Sequence, residues 1–188
     1  DAVLATRGNF NNRIGVPLTL FGLLPSHRVA VVEMGTSERG EIAALADIAE
    51  PDVAVLVSVG VAHAEGLAHA PRRPTEPWWV GRVGPRQAVA LEKSAVVAAA
   101  RHMAVVCGDD GWARAALATT TVATRTWGRG AGCDYRLLET SWSDEVTTSL
   151  VLERPDGERL TFALPLLGDI AALDMAGAVA AADVALEA

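Results

Sequence analysis

Four short stretches of the chain are continuously apolar and rich in valine: residues 2–6, 29–33, 53–59 and 103–107. Strands covered on both faces, as in a parallel sheet, read this way. Between them lie stretches of helical character, over 17–24, 39–49, 86–101 and 112–119. The alternation predicts an α/β domain, a mostly parallel sheet flanked by helices. Past Asp134 the pattern changes. Residues 135–142, 146–153 and 159–164 predict a small antiparallel β region, near residues 135–165, with Pro155-Asp156-Gly157 as a hairpin turn. A last helix, nearly all Ala, Val, Leu and Met, is predicted over 171–186. Residues 70–85 break the alternation with Pro71, Pro74, Pro77 and Pro85, three arginines and the pair Trp78-Trp79, and predict a loop insertion.

At 188 residues with 51 % hydrophobic positions, the chain is the size of one domain and can bury a real core. No apolar run of about 18 residues occurs, so no membrane span is expected. The net charge of −7 argues against nucleic acid as a partner. Two cysteines, Cys107 and Cys133, have no companions to make a zinc site and fit a reduced, cytoplasmic setting. A start at Asp1 with no basic-then-apolar leader leads us to expect a fragment of a longer protein. Of the 16 basic residues only Lys93 is lysine. It lies on a predicted helix, where a solvated lysine is the ordinary reading. A lysine can also lose its proton or be carbamylated, which an arginine cannot.

Candidate chemistry gathers at the ends of the first three strands. The first runs into Thr6-Arg7-Gly8-Asn9-Phe10-Asn11-Asn12-Arg13-Ile14-Gly15-Val16-Pro17. That loop is either a turn of residues tolerant of unusual backbone angles or a polar loop where open α/β sheets take ligands. The second ends at Glu33-Met34-Gly35, and a carboxylate there suits Mg²⁺, which prefers hard oxygen ligands. His63 falls just past the third. No Gly-x-x-x-x-Gly-Lys-Ser/Thr is present, so the phosphate loop of P-loop enzymes is missing.

These motifs resemble the Mur ligase family, and within it the D-alanyl-D-alanine-adding branch. The Asn loop, Glu33-Met34-Gly35, Gly40-Glu41-Ile42, Pro51-Asp52-Val53-Ala54, Val59-Gly60-Val61-Ala62-His63 and Glu92-Lys93 carry the resemblance, which extends over nearly all of residues 1–188. It implies the family's central, ATP-binding domain, P-loop-like in fold, truncated on its N-terminal side and lacking the parent's N- and C-terminal domains. The implied activity is ATP-dependent ligation of D-alanyl-D-alanine to a UDP-N-acetylmuramoyl-peptide in peptidoglycan synthesis, with the fragment inactive alone. By the same resemblance Glu33 and His63 would hold Mg²⁺, and Lys93 would be a carbamylated catalytic lysine. Thr6, Asn9, Asn11 and Asn12 would face the nucleotide-peptide substrate. The family's adenine-contacting Gly-x-His-Asn-x-x-Asn is here Gly168-Asp169-Ile170-Ala171-Ala172-Leu173-Asp174, leaving Asp174 as the cofactor-binding candidate. Two other readings are a polyglutamate- or cyanophycin-type amide ligase, which the Asn loop opposes, and a degenerate, non-catalytic binding module.

Overall fold

The computed structural model describes residues 2–61, 67, 84–143 and 146–187. His63 and nearly all of the 70–85 segment lie outside them, apart from Gly84 and Pro85, and Pro85 already opens a helix. The elements in chain order are β1 (Val3–Ala5), α1 (Gly15–Leu20), β2 (Val29–Val31), α2 (Glu41–Ala49), β3 (Val53–Leu56), α3 (Pro85–Ala98), β4 (Met103–Cys107) and α4 (Gly111–Ala115). A 3₁₀ turn (Ala116–Thr119) follows, then β5 (Ala123–Gly128), β6 (Tyr135–Ser143), β7 (Thr147–Glu153), β8 (Arg159–Leu164) and α5 (Asp169–Glu187).

The described strands form two sheets. β1 and β2 pair in parallel, Val3 opposite Val29 and Ala5 opposite Val31. The other six lie side by side in chain order, parallel from β3 to β6 and antiparallel from β6 to β8. The expected α/β class and antiparallel region are therefore present. β5 is a strand that the apolar pattern did not announce. Its sequence, Ala-Thr-Arg-Thr-Trp-Gly, has no continuous apolar run, yet it pairs residue for residue with β4.

Side-chain alternation along β4 divides the core. Ala104 and Val106 face α3 and join Ala54, Leu56, Val89 and Val97; Val105 and Cys107 face α5 and join Trp127, Leu137, Leu150 and Leu152. Each large apolar side chain so buried contributes about 1.5–3 kcal/mol. On α5 the inward stripe is small (Ala172, Ala176, Gly177, Ala180), which lets the helix approach the sheet until the Trp127 indole lies against Gly177. Both cysteines are free, and burial pushes each thiol above its ordinary range.

Candidate functional site

The β1–β2 pair brings the Asn loop onto the end of β2. Thr6 donates its backbone N–H to Val31, and its hydroxyl accepts the Glu33 N–H at 2.9 Å. The Asn11 side-chain amide donates to Glu33 Oε1 at 2.8 Å, while the Asn11 carbonyl accepts the Gly35 N–H at 2.7 Å. Gly35 is required for this approach: a Cβ there would stand 2.9 Å from Asn11 Cγ. Four hydrogen bonds, two of them to Glu33 itself, thus fix residues 31–35 against residues more than twenty positions away in sequence.

Asn12 does a different job. Its side-chain oxygen accepts the N–H groups of Ile14 and Gly15, at 3.0 and 2.9 Å, supplying two donors at the start of α1 with an acceptor. Asn9 is exposed and engages through its carbonyl, which takes the Asn11 N–H. The fold brings Thr6, Asn11 and Glu33 to one place. The side chains of Thr6, Asn11 and Asn12 already have partners within the chain.

A hollow of about 180 Å³ opens beside this cluster, lined by Asn11, Asn12, Gly35, Thr36, Ser37 and Glu41. Thr36, Ser37 and Glu41 are additions that the strand-end pattern did not single out. Glu41 Oε2 accepts the N–H groups of Ser37 and Glu38 at 2.6 and 2.9 Å, which caps the approach to α2. The Ser37 N–H is the main reason its carboxyl lies below the usual range; the Arg13 cation also helps. The start of α2 is also held from outside. Glu92, on α3, accepts the Gly40 N–H at 2.7 Å with one oxygen and the Ile42 N–H at 2.9 Å with the other.

Lys93, the next residue on α3, points elsewhere. It is half-buried, and its Nζ donates to the Ser58 carbonyl at 3.1 Å, just beyond β3. Val59 beside it is held twice. Arg86 Nε donates to its carbonyl at 2.8 Å, and its N–H donates to Asp110 Oδ2 at 2.8 Å. Asp110 Oδ1 meanwhile accepts from Trp112 and Ala113 at the start of α4, and Arg86 stands 3.6 Å from its other oxygen. Burial alone would raise the Asp110 carboxyl, but the N–H groups of Val59, Ala113 and Trp112 with the Arg86 cation outweigh it, and the carboxyl ends below its ordinary range. The sequence analysis singled out neither Arg86 nor the hold of Asp110 on Val59, a bond between residues 51 apart that no local pattern encodes.

Asp174 is not part of this constellation. It stands on the exposed side of α5 and makes no hydrogen bond or ion pair among the described residues, and surrounding protein raises its carboxyl. Nearer the start of α5, Asp169 is bound by Arg129 at 2.6 Å and by the Thr140 hydroxyl at 2.9 Å.

For a divalent cation the fitting donor is Glu33. It is exposed, Asn11 occupies Oε1, and Oε2 accepts no hydrogen bond among the described residues. Mg²⁺ keeps several waters and takes one or two carboxylates, so one open carboxylate oxygen fits it. No group of three His, Cys, Asp or Glu able to hold a metal occurs among the described residues. None of their helices is long and apolar enough to cross a membrane.

Comparison with known proteins bears on this geometry. Residues 1–71 match the model of the Mur ligase middle domain. The chain is 32 % identical over 178 residues to the UDP-N-acetylmuramoyl-tripeptide--D-alanyl-D-alanine ligase of Bacillus subtilis, an alignment covering 94 % of this chain and 34 % of that protein. The ligase of the same name from Escherichia coli is 44 % identical over 64 residues, 34 % of this chain and 14 % of the relative. Among solved structures, MurF from Acinetobacter baumannii superposes with a TM-score of 0.81 at 26 % identity, over 99 % of this chain and 37 % of that one. MurF from Thermotoga maritima in complex with ADP gives 0.76 at 25 % identity, over 97 % and 39 %. The chain spans at most about a third of the length of these curated relatives. It belongs to the Mur ligase family, whose middle-domain model its residues 1–71 match.

Proposed function

We propose that this domain serves an ATP-dependent amide ligase that joins D-alanyl-D-alanine to a UDP-N-acetylmuramoyl-peptide during peptidoglycan synthesis in the cytoplasm. The observation that supports this reading most is the fastening of Thr6, Asn11, Glu33 and Gly35 into one cluster beside a polar hollow. These are the residues of the motifs shared with the family, and they converge although twenty-odd residues separate the two segments.

In this reading the Asn loop, from Thr6 through Asn9, Asn11 and Asn12, forms the side of the site that faces the nucleotide-peptide. Thr6 and Asn12 act through the backbone they hold, and Asn9 is the exposed amide able to meet substrate. Glu33, with His63, would hold Mg²⁺, and Asp174 would contact the nucleotide. Bound Mg²⁺ would neutralise charge on the transferring phosphoryl group, so the protein's part is positioning and electrostatics. Asn11 contributes by fixing one Glu33 oxygen and leaving the other outward.

Lys93 acts as a carbamate. A carbamylated lysine keeps one N–H on Nζ, so the hydrogen bond to Ser58 is compatible with the modification. The added carboxylate would then supply negative charge to the site. A ligase also needs a phosphate-binding loop and an amine-substrate site, which other parts of a full-length enzyme would supply.

The test is to titrate the 188-residue chain with a UDP-N-acetylmuramoyl-tripeptide and Mg·ADP while following backbone amide resonances. Shifts concentrated at residues 6–12 and 33–37 are expected. Shifts confined to the face of β6–β8, or absent at both segments, would overturn the assignment.

A further inference from the structure

We infer that Glu92 is a positioning residue for the hollow beside the Asn loop, acting through the backbone of residues 36–42. The inference rests on the reading that this hollow faces the nucleotide-peptide substrate. Glu92 is 8 % exposed, and a buried carboxylate is costly unless its oxygens are satisfied. Here both are, and both by backbone of another segment: Gly40 N–H at 2.7 Å and Ile42 N–H at 2.9 Å.

The target of that grip is unusual backbone. Gly40 has φ of 78°, in the left-handed region that glycine favours, and no side chain of its own caps α2. The segment immediately before it, Thr36 and Ser37, lines the hollow, and Glu41 closes that segment by accepting from Ser37 and Glu38. One carboxylate therefore holds the segment from inside the loop, and Glu92 holds it from α3. An apolar side chain at 92 would pack between α2 and α3 at least as well, but it could not accept from two amides. The residue type is explained by what it orients.

The adjacency to Lys93 adds a consequence. Two successive α3 residues reach the backbone on two sides of the site, Glu92 toward the hollow and Lys93 toward Ser58. A rigid helix thereby fixes the spacing between the substrate-facing wall and the end of β3.

The test is amide hydrogen exchange on the 188-residue chain, comparing wild type with Glu92→Gln and Glu92→Asp. Glutamine keeps the shape but offers a donor where one amide needs an acceptor. Exchange at Ser37, Glu38, Gly40 and Ile42 should rise at least roughly tenfold in Glu92→Gln, as expected for a lost charged hydrogen bond. Val105 and Val106 of β4 should stay unchanged. Glu92→Asp, which retains the charge but is one methylene shorter, should give a smaller rise at the same four amides. Unchanged exchange at those amides in either variant, or a uniform rise that includes β4, would overturn the proposal. Titration with UDP-N-acetylmuramoyl-tripeptide separates the two claims. Absence of shifts at Thr36 and Ser37 in wild type sinks the substrate reading, while the exchange result decides Glu92 independently.

Discussion

Asn11 reaches Glu33 across 22 positions of sequence, and the 2.8 Å hydrogen bond between them exists because Gly35 has no side chain. A Cβ on Gly35 would meet all three terminal atoms of Asn11 at 2.9–3.1 Å, so the amide would have to swing away. Gly35→Ala and Asn11→Ala should therefore share a phenotype in a full-length ligase carrying this domain. Both are expected to raise the Mg²⁺ concentration needed for half-maximal turnover by roughly tenfold, the worth of one hydrogen bond to a charged group. Turnover measured across a Mg²⁺ series checks this; an unchanged midpoint in Asn11→Ala would remove its role.

Lys93→Arg separates a carbamate from a plain cation. If the ammonium contact with Ser58 were all that mattered, arginine would retain the charge and a donor. If the side chain carries a carbamate, arginine places a fixed positive charge where the site would have a negative one. Turnover of the full-length ligase should then fall by on the order of 10²-fold, the scale of one lost electrostatic stabiliser. Lys93→Ala should recover in part with added acetate or formate. Near-parental activity of Lys93→Arg would return Lys93 to an ordinary helix lysine.

Gly177→Ala sets helix propensity against packing. Replacing glycine by alanine inside a helix ordinarily stabilises by up to about 1 kcal/mol. Here the new methyl would stand 2.6 Å from Trp127 Cε2, and Trp127 is fully buried. Overpacking costs about 1–3 kcal/mol, so the net effect is expected to be destabilising. Thermal unfolding should show Tm lowered by a few degrees. A raised Tm would mean that the indole has room to yield.

Stability in acid should depend on Asp110. Its carboxyl is held below its ordinary value of 3.8 in the folded chain. The unfolded chain therefore takes up that proton first, and the stabilisation, complete above pH 3.8, is lost as pH falls toward the folded value. Glu41 acts in the same sense from its reference of 4.5. Asp110→Asn should flatten the fall in Tm between about pH 5 and pH 3. An unchanged slope would show that other carboxylates set the acid limit.

Much of the architecture is legible in the sequence because it is local. The valine runs of β1, β2, β3 and β4 need no tertiary information, and Gly157, at φ of 86°, closes the hairpin where Pro155-Asp156-Gly157 announces one. β5 is illegible for a physical reason. Its Thr124, Arg125 and Thr126 sit at a half-buried level that alternation counts as polar, and pairing with β4 makes it a strand. The division of the described strands into two sheets also could not be read from element order. At the cluster beside the hollow, the polar residues stand out in the sequence, but the bonds they make do not. Asn12 looks like a ligand-facing amide and caps α1. Asp110 caps α4 and also holds Val59, 51 residues away, a link no local pattern encodes.

The order of strands in the larger sheet bears on how the chain acquires its structure. From β3 to β8 each strand lies beside its neighbour in sequence, and β6, β7 and β8 form an antiparallel meander. Closing that meander orders short loops, whereas joining β1 to β2 means closing a loop from Ala5 to Val29 for only three residue pairs. Loop-closure entropy therefore favours the meander and α5 as the early nucleus, with the Asn loop and Glu33 assembling late. Substitutions at Leu150 or Leu152 should slow folding, and those at Asn11 should mainly speed unfolding. The motif shared with the family is thus carried by the segment that the folding chain secures last.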